Sequence, residues 1–472
     1  MEHSPGQTTT GSSFDRELSG DASAPVYPHL PALAAYVAET PSSSIVPEAI
    51  EYAKFAAIDF IGAAIAGTLE PISKIVESHI TACSKGTCTL IGAQARVSAV
   101  DAAFFNGTAG HAIDYDDSSF VQGGHPTCTL LPAVLAVGEE RASSGREILE
   151  AYVVGYEITM KFSRAVNFEH YFKGWHPTST LGALGAAAAV ARLIRLDATK
   201  VQHALGIAAS LASGIKSNVG TVTKPFQAGH ASHKGALAAL MAQAGVTASE
   251  GALEAKQGFF EVYNGPGKYD LDSMSFSPVL EIIDPGLRFK RYPCCGSTHS
   301  AIDAALRVAA THAPAPDDIR SVEVAIERRR AHHTDRPTYN SGYEGKFSLQ
   351  YLVSAALTDG KLGVAHFTDE SAARQELRRL ADRVKVLPVD CGNTLSDVCD
   401  LTVHMVDGST LKVHLDSAEG RTTVDYPKWM RTKFLDCAQE VFDLAQSERL
   451  LAALMALDKE EDIRRFTTLL RE

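Results

Sequence analysis

Between residues 30 and 258 the chain places apolar residues at three- and four-residue intervals, and an unusual share of them are alanine or glycine. That period is the signature of amphipathic helices. Side chains of one carbon or none let helix axes approach closely, so the stretch predicts a compact all-α bundle with little room for a large internal cavity. Residues 45–67 carry Pro47 in the first turn and Gly67 at the end, where these residues start and stop helices. Residues 181–194, 201–215 and 231–245 repeat the pattern.

The character changes near Gly265. Residues 321–328 alternate apolar and polar, as a half-buried strand does, and residues 401–415 predict a β-hairpin with Asp407-Gly408 in its turn. Helices over 300–312 and 370–383 fall between these strands, and the helical pattern returns after Pro427. A chain of 472 residues is too long for one ordinary core. The expected fold is mainly α: a large all-α helical domain (29–268), a smaller inserted α+β lid domain (269–425), and C-terminal helices (426–472) that pack back on the first domain, with a cleft between the two. Residues 1–28 are rich in Ser, Thr, Gly and Pro and read as a disordered tail without the apolar stretch of a signal peptide.

A net charge of −12 with no basic block argues against a nucleic-acid partner. Eight cysteines without a CxxC pair, two of them adjacent at Cys294-Cys295, suit a reduced chain, expected in the cytoplasm. The longest uncharged apolar run, 177–190, is too short to span a bilayer. Dinucleotide, nucleotide, zinc-protease and serine-hydrolase patterns are absent.

Within the apolar helices stands Gly110-His111-Ala112-Ile113-Asp114-Tyr115-Asp116-Asp117, followed by His125-Pro126. Charged and imidazole groups among apolar neighbours are costly unless paired, so they suggest a site. The three carboxylates admit three readings: a solvated helix end, a divalent-metal site, or acid–base work. A second pair, His176-Pro177, opens another apolar helix. Proline favours the first helical position, which predicts His125 and His176 as N-caps, where the helix dipole disfavours imidazolium. A neutral imidazole beside a bound carboxylate is suited to act as base or donor near pH 7; the plainer reading is two capping residues in loops.

Lys224 precedes Pro225 in a turn between very apolar helices, a place better suited to holding a substrate carboxylate than to a solvated lysine. Arg288, Lys290 and Arg291 concentrate charge where the two domains should meet, and the KFSLQY stretch offers the Tyr351 phenol as a proton donor. A cysteine nucleophile at 294 or 295 has only His299 nearby in sequence.

Six blocks in order, GHAIDYDD, GGHPTCTLLPAV, KGWHPTSTLGALGAAAA, GTVTKPFQAGHAS, FKRYPCCGSTHSAIDAAL and KFSLQYLVSAALTDG, resemble the MmgE/PrpD family over residues 30–470. That family includes 2-methylcitrate dehydratase, cis-aconitate decarboxylase and iminodisuccinate epimerase. The resemblance implies a homodimer with no cofactor and no metal, acting on a small di- or tricarboxylate by proton transfer next to a carboxylate. It implies catalytic roles for Asp114, His125, His176, Lys224 and Tyr351, and substrate contacts for Ser118, Thr223, Gln227, Lys290 and Cys295. A lyase of the cis-aconitate decarboxylase kind is the first reading. A dehydratase of citrate-like acids, an epimerase of an amino or imino diacid, and a non-catalytic binding member are the alternatives. Cys295 stands where some decarboxylases have His, and the TKP block departs from that of the methylcitrate dehydratases.

Overall fold

The alanine- and glycine-rich stretches form helices that cross at backbone contact. The structure, a computed structural model, describes residues 27–392, 396–417 and 426–471; all but the last two residues of the expected tail lie outside them. Six helices frame the first core: α1 (Pro47–Gly67), α2 (Ala99–Ala112), α3 (Thr127–Arg141), α4 (Gly145–Lys173), α5 (Pro177–Leu193) and α6 (Thr223–Gln243). Glycine sets the spacing at two crossings. A Cβ on Gly229 of α6 would lie 2.2 Å from the Phe104 carbonyl oxygen of α2, and one on Gly110 of α2 would lie 2.0 Å from the Phe60 ring of α1. Neither contact leaves room for any side chain, which is why α2 is wedged between α1 and α6.

Helix ends differ from the sequence reading in three places. The helix expected over 201–215 closes at Leu211. The chain then turns at Gly214 (φ +122°), whose carbonyl accepts the His176 N–H at 3.0 Å. Helix α6 begins at Thr223 rather than near 231, because Pro225 sits in its first turn, where a missing N–H costs nothing; Lys224 is therefore helical, not in a turn. The helix expected over 370–383 is two short ones, Asp369–Ala372 and Gln375–Ala381. Between them Arg374 is extended, and its guanidinium donates to Asp359 at 2.7 and 2.9 Å and to Glu376 at 2.8 Å.

The second core packs α7 (His299–His312) and α8 (Leu349–Asp359) on a four-stranded sheet. Its strands are β1 (Ile319–Glu327), β2 (Val384–Val389), β3 (Cys399–Met405) and β4 (Thr410–Leu415), in the order β2-β1-β3-β4. β1 and β2 are parallel; the other pairs are antiparallel, and Gly408 (φ +88°) lies in the β3–β4 turn as its sequence predicts. Helix α9 (Tyr426–Ala438) returns to the first core, where Tyr426, Met430 and Phe434 are buried with α1. Leu287 and Phe289 belong to the first apolar cluster, Tyr292 and Cys294 to the second. The change of core thus falls at Lys290, later in the chain than the expected 269. No single helix among the described residues is long and apolar enough to cross a membrane.

Gly229→Ala forces α2 and α6 apart and should cost about 1–3 kcal/mol, the usual penalty for overpacking. Urea unfolding measures it. A change smaller than about 0.5 kcal/mol, the range of neutral surface substitutions, would contradict the backbone contact.

Candidate active site

Helix α2 ends at Ala112, and Asp114 then takes φ +55°, a left-handed conformation that aspartate tolerates better than most residues. The chain so reversed, residues 113–117 lie buried without regular structure, and their backbone oxygens need donors. Three lysines supply them. Lys346 Nζ donates to the Ile113 carbonyl at 2.6 Å, Lys290 Nζ to that of Asp114 at 2.7 Å, and Lys433 Nζ to that of Tyr115 at 2.6 Å. Lys433 also donates to Asp59 at 2.5 Å and to the Lys290 carbonyl at 2.9 Å, so α1, α9, the crossing segment and this loop meet at one ammonium group. Burial pushes Lys346 down to about 8.

The Asp114 carboxylate, 2% exposed, is the centre of the cluster. Lys224 donates to its Oδ1, Lys290 Nζ lies 3.0 Å from the same oxygen, and His125 Nε2 lies 3.8 Å away. Burial opposes ionisation, but Lys224, Lys290 and the imidazoles outweigh it and hold the carboxyl well below the usual range. The same pairing outweighs burial at Lys224, whose ammonium is held above its ordinary value.

Three imidazoles stand beside this pair. His111 Nδ1 lies 2.8 Å from Asp116 Oδ2, with both side chains fully buried, and burial pushes His111 down to about 4. His125 Nδ1 lies 3.4 Å from the same Asp116 oxygen. His176 is the N-cap of α5 and its Nδ1 lies 2.8 Å from Gln227 Oε1. Burial, then His111 and Lys224, hold His176 well below its usual value. It is therefore neutral, donating from Nδ1 to Gln227 and leaving Nε2 as an acceptor. The His111 ring centroid is 4.5 Å from that of His125 and 6.4 Å from that of His176. His125 itself is not an N-cap: Pro126 caps α3 with helical dihedrals, and His125 precedes it, its N–H donated to Thr178 Oγ1 at 3.1 Å.

Of the residues singled out in the sequence, Asp114, His125, His176, Lys224 and Lys290 converge, and Gln227 orients one of them. Cys295 borders the cluster. Burial would push its thiol up, but His333 outweighs burial and brings it to about 7. Thr223 opens α6 one residue before Lys224, its N–H on Thr221 Oγ1 at 3.2 Å. Ser118 exchanges backbone hydrogen bonds with Arg288 at 2.9 Å, and its hydroxyl faces the Arg288 carbonyl; it ties the loop to the crossing segment. Tyr351 is not brought to the cluster. Its hydroxyl donates to the His366 carbonyl inside the second core and lies 3.1 Å from Ser371 Oγ, so the expected proton donor is committed elsewhere. The sequence marks the motif that holds His111 and Asp116, but the roles the resemblance implies fall on Asp114 and His125 and leave these two out. The sequence has no signal for Lys433, which is 318 positions from Tyr115.

Two ammonium groups that share one carboxylate can receive a second, and an adjacent neutral imidazole can exchange a proton with carbon next to it. His111, Asp114, Asp116 and His125 each offer a ligand atom within 4.8 Å of the others, a spacing that admits a metal ion. Against a cation stand the two ammonium groups already on Asp114. Asp114→Asn leaves both of them without a buried counter-ion and should cost about 3–5 kcal/mol, whereas Lys224→Met should cost less because Lys290 keeps the carboxylate paired. Chemical denaturation of the two variants checks the order; the reverse order would displace Asp114 from the centre.

The family model of the MmgE/PrpD N-terminal domain matches residues 31–272, and that of the MmgE/PrpD C-terminal domain matches residues 292–459. The chain is 30% identical over 440 residues to the cis-aconitate decarboxylase of Homo sapiens, which covers 89% of this chain and 90% of that protein. A cis-aconitate decarboxylase of Aspergillus terreus is 26% identical over 456 residues, 89% of this chain and 91% of the relative. A probable 2-methylcitrate dehydratase of Saccharomyces cerevisiae is 25% identical over 384 residues, 75% of this chain and 72% of the relative.

Proposed function

Because this chain belongs to the MmgE/PrpD family, we propose that it is a lyase that removes CO₂ from a small unsaturated tricarboxylate of the cis-aconitate kind. The observation that carries the reading is the convergence of Lys224 and Lys290 on one buried carboxylate beside His125. An incoming substrate carboxylate takes a share of these two ammonium groups. The carboxyl on the substrate's CH₂ arm leaves as CO₂, and the electrons of the broken C–C bond form a new terminal double bond. The electrons of the old double bond move to the CH carbon, whose own carboxylate takes up charge as an enediolate. The paired ammonium groups stabilise that charge, since they are fixed before it develops. His125 then delivers one proton to the CH carbon, giving a 2-methylene dicarboxylate.

The neutral His176 supports a second reading. Its free Nε2 suits removal of a proton next to a carboxylate, which dehydration or epimerisation needs and decarboxylation does not. As the family resemblance implies, the enzyme works as a homodimer without organic cofactor or metal, and its cysteine usage favours the cytoplasm.

Incubation with cis-aconitate, 2-methylcitrate and iminodisuccinate, followed by proton NMR, separates the readings. CO₂ loss from cis-aconitate is the expected result. Turnover of none would overturn the class, and a thermal shift with these acids but no turnover would mark a binding protein. His125→Ala should lower kcat by about 10²–10⁴-fold, His176→Ala should do so for dehydration or epimerisation, and Lys290→Ala should raise KM and lower kcat together. A His176→Ala enzyme with normal kcat would remove His176 from the machinery.

A further inference from the structure

Asp116 is a single carboxylate with two imidazoles on it. Its Oδ2 lies 2.8 Å from His111 Nδ1 and 3.4 Å from His125 Nδ1. We propose that His111 and Asp116 form a positioning pair whose shared charge, 3.4 Å from the His125 ring, sets how tightly His125 holds the transferable proton. The proposal rests on the reading of His125 as the proton donor.

His111 is buried and neutral, so its Nδ1–H is given to Asp116 and its Nε2 is bare. That Nε2 and the Nδ1 of His125 are both buried nitrogens with no hydrogen-bond partner. The His125 Nδ1 is nonetheless 3.4 Å from the Asp116 oxygen that His111 holds, so the two rings share one charge. With Nδ1 of His125 turned to Asp116, Nε2 is turned to Asp114, at 3.8 Å, the side on which Lys224 and Lys290 gather a carboxylate. The Asp116 charge stabilises the protonated ring, and the hydrogen bond from His111 takes up part of that charge and moderates it. When His125 has given its proton away, Asp116 still has His111 as a donor and is never left bare in the core.

The other charged and titratable groups facing these two rings come from every neighbouring element: Asp114 on the same loop, Lys224 of α6, His176 of α5 and Lys290 of the crossing segment. Asp59 of α1, Asp117 of the loop and Cys128 of α3 face Asp116.

The sign of the effect follows. Asp116→Asn removes an anion from beside the His125 ring, so the donor loses its proton at lower pH. The alkaline limb of the kcat/KM profile on cis-aconitate should move down by about one unit. His111→Leu frees the whole Asp116 charge for His125, and the limb should move up by a fraction of a unit to about one. His111→Asn, whose side-chain N–H replaces that of Nδ1, should return the limb to its wild-type position. A purely structural role would lower activity by one factor at all pH values in all three variants, with the limb unmoved; that result would overturn the proposal. Imidazole ¹⁵N NMR of the substrate-free enzyme gives a second readout. It should find His111 in the Nδ1–H form from about pH 6 to 8, and the His125 signals should titrate in opposite senses in Asp116→Asn and His111→Leu. If wild type leaves cis-aconitate unchanged, the proposed reaction fails, and the NMR titration still decides the positioning pair: unmoved His125 signals would refute it.

Discussion

The ion pairing of Asp114 with Lys224 and Lys290 is the constraint on which the site depends. A carboxylate at 2% exposure is tolerable only with its charge matched, and here the match comes from two separate parts of the chain. Lys224 belongs to the first turn of α6, Lys290 to the segment where the chain leaves the first core for the second. The pairing therefore fastens the crossing segment to the helical core at the point where chemistry is expected. It also holds both ammonium groups desolvated and oriented in the folded chain. This is preorganisation in the literal sense: the cost of burying the charges is met in folding rather than in the reaction.

Lys290 and two further lysines solve a second problem. A loop buried between helices has backbone carbonyls with no ladder to join. Lys346, Lys290 and Lys433 cap three successive carbonyls of the 113–115 stretch. Each comes from a different part of the chain, so the geometry of this loop depends on the crossing segment, the second core and α9, and through Lys224 on α6 as well.

Much of the architecture was legible. The period of the apolar residues and their small size gave the helices and their close crossing, because close approach needs glycine where a helix meets a backbone, as at Gly229, or a packed ring, as at Gly110. Asp407-Gly408 gave the hairpin through the positive φ that such a turn requires. Helix ends were less legible. Residues 212–215 continue an apolar pattern yet leave the helix, since the Gly214 carbonyl is wanted by the His176 N–H, a partner far away in the chain. The break at Arg374 depends in the same way on Asp359.

The residue types alone decided that acidic and imidazole groups sit among alanines, that two His-Pro pairs open apolar helices, and that lysines flank them. Those facts follow from composition and local spacing, and they mark a site; the class of chemistry came from the resemblance of six sequence blocks to a family. Only the tertiary structure decided which groups meet. It placed Tyr351 in the second core with its hydroxyl on a carbonyl, brought in Lys346 from the same block instead, and added Lys433, which no local pattern marks. It also joined His111 and His125 on one carboxylate. The reason is physical. Propensity and periodicity act over a few residues, whereas the ionisation of a buried group is set by every charge within a few ångströms, whatever its position in the chain.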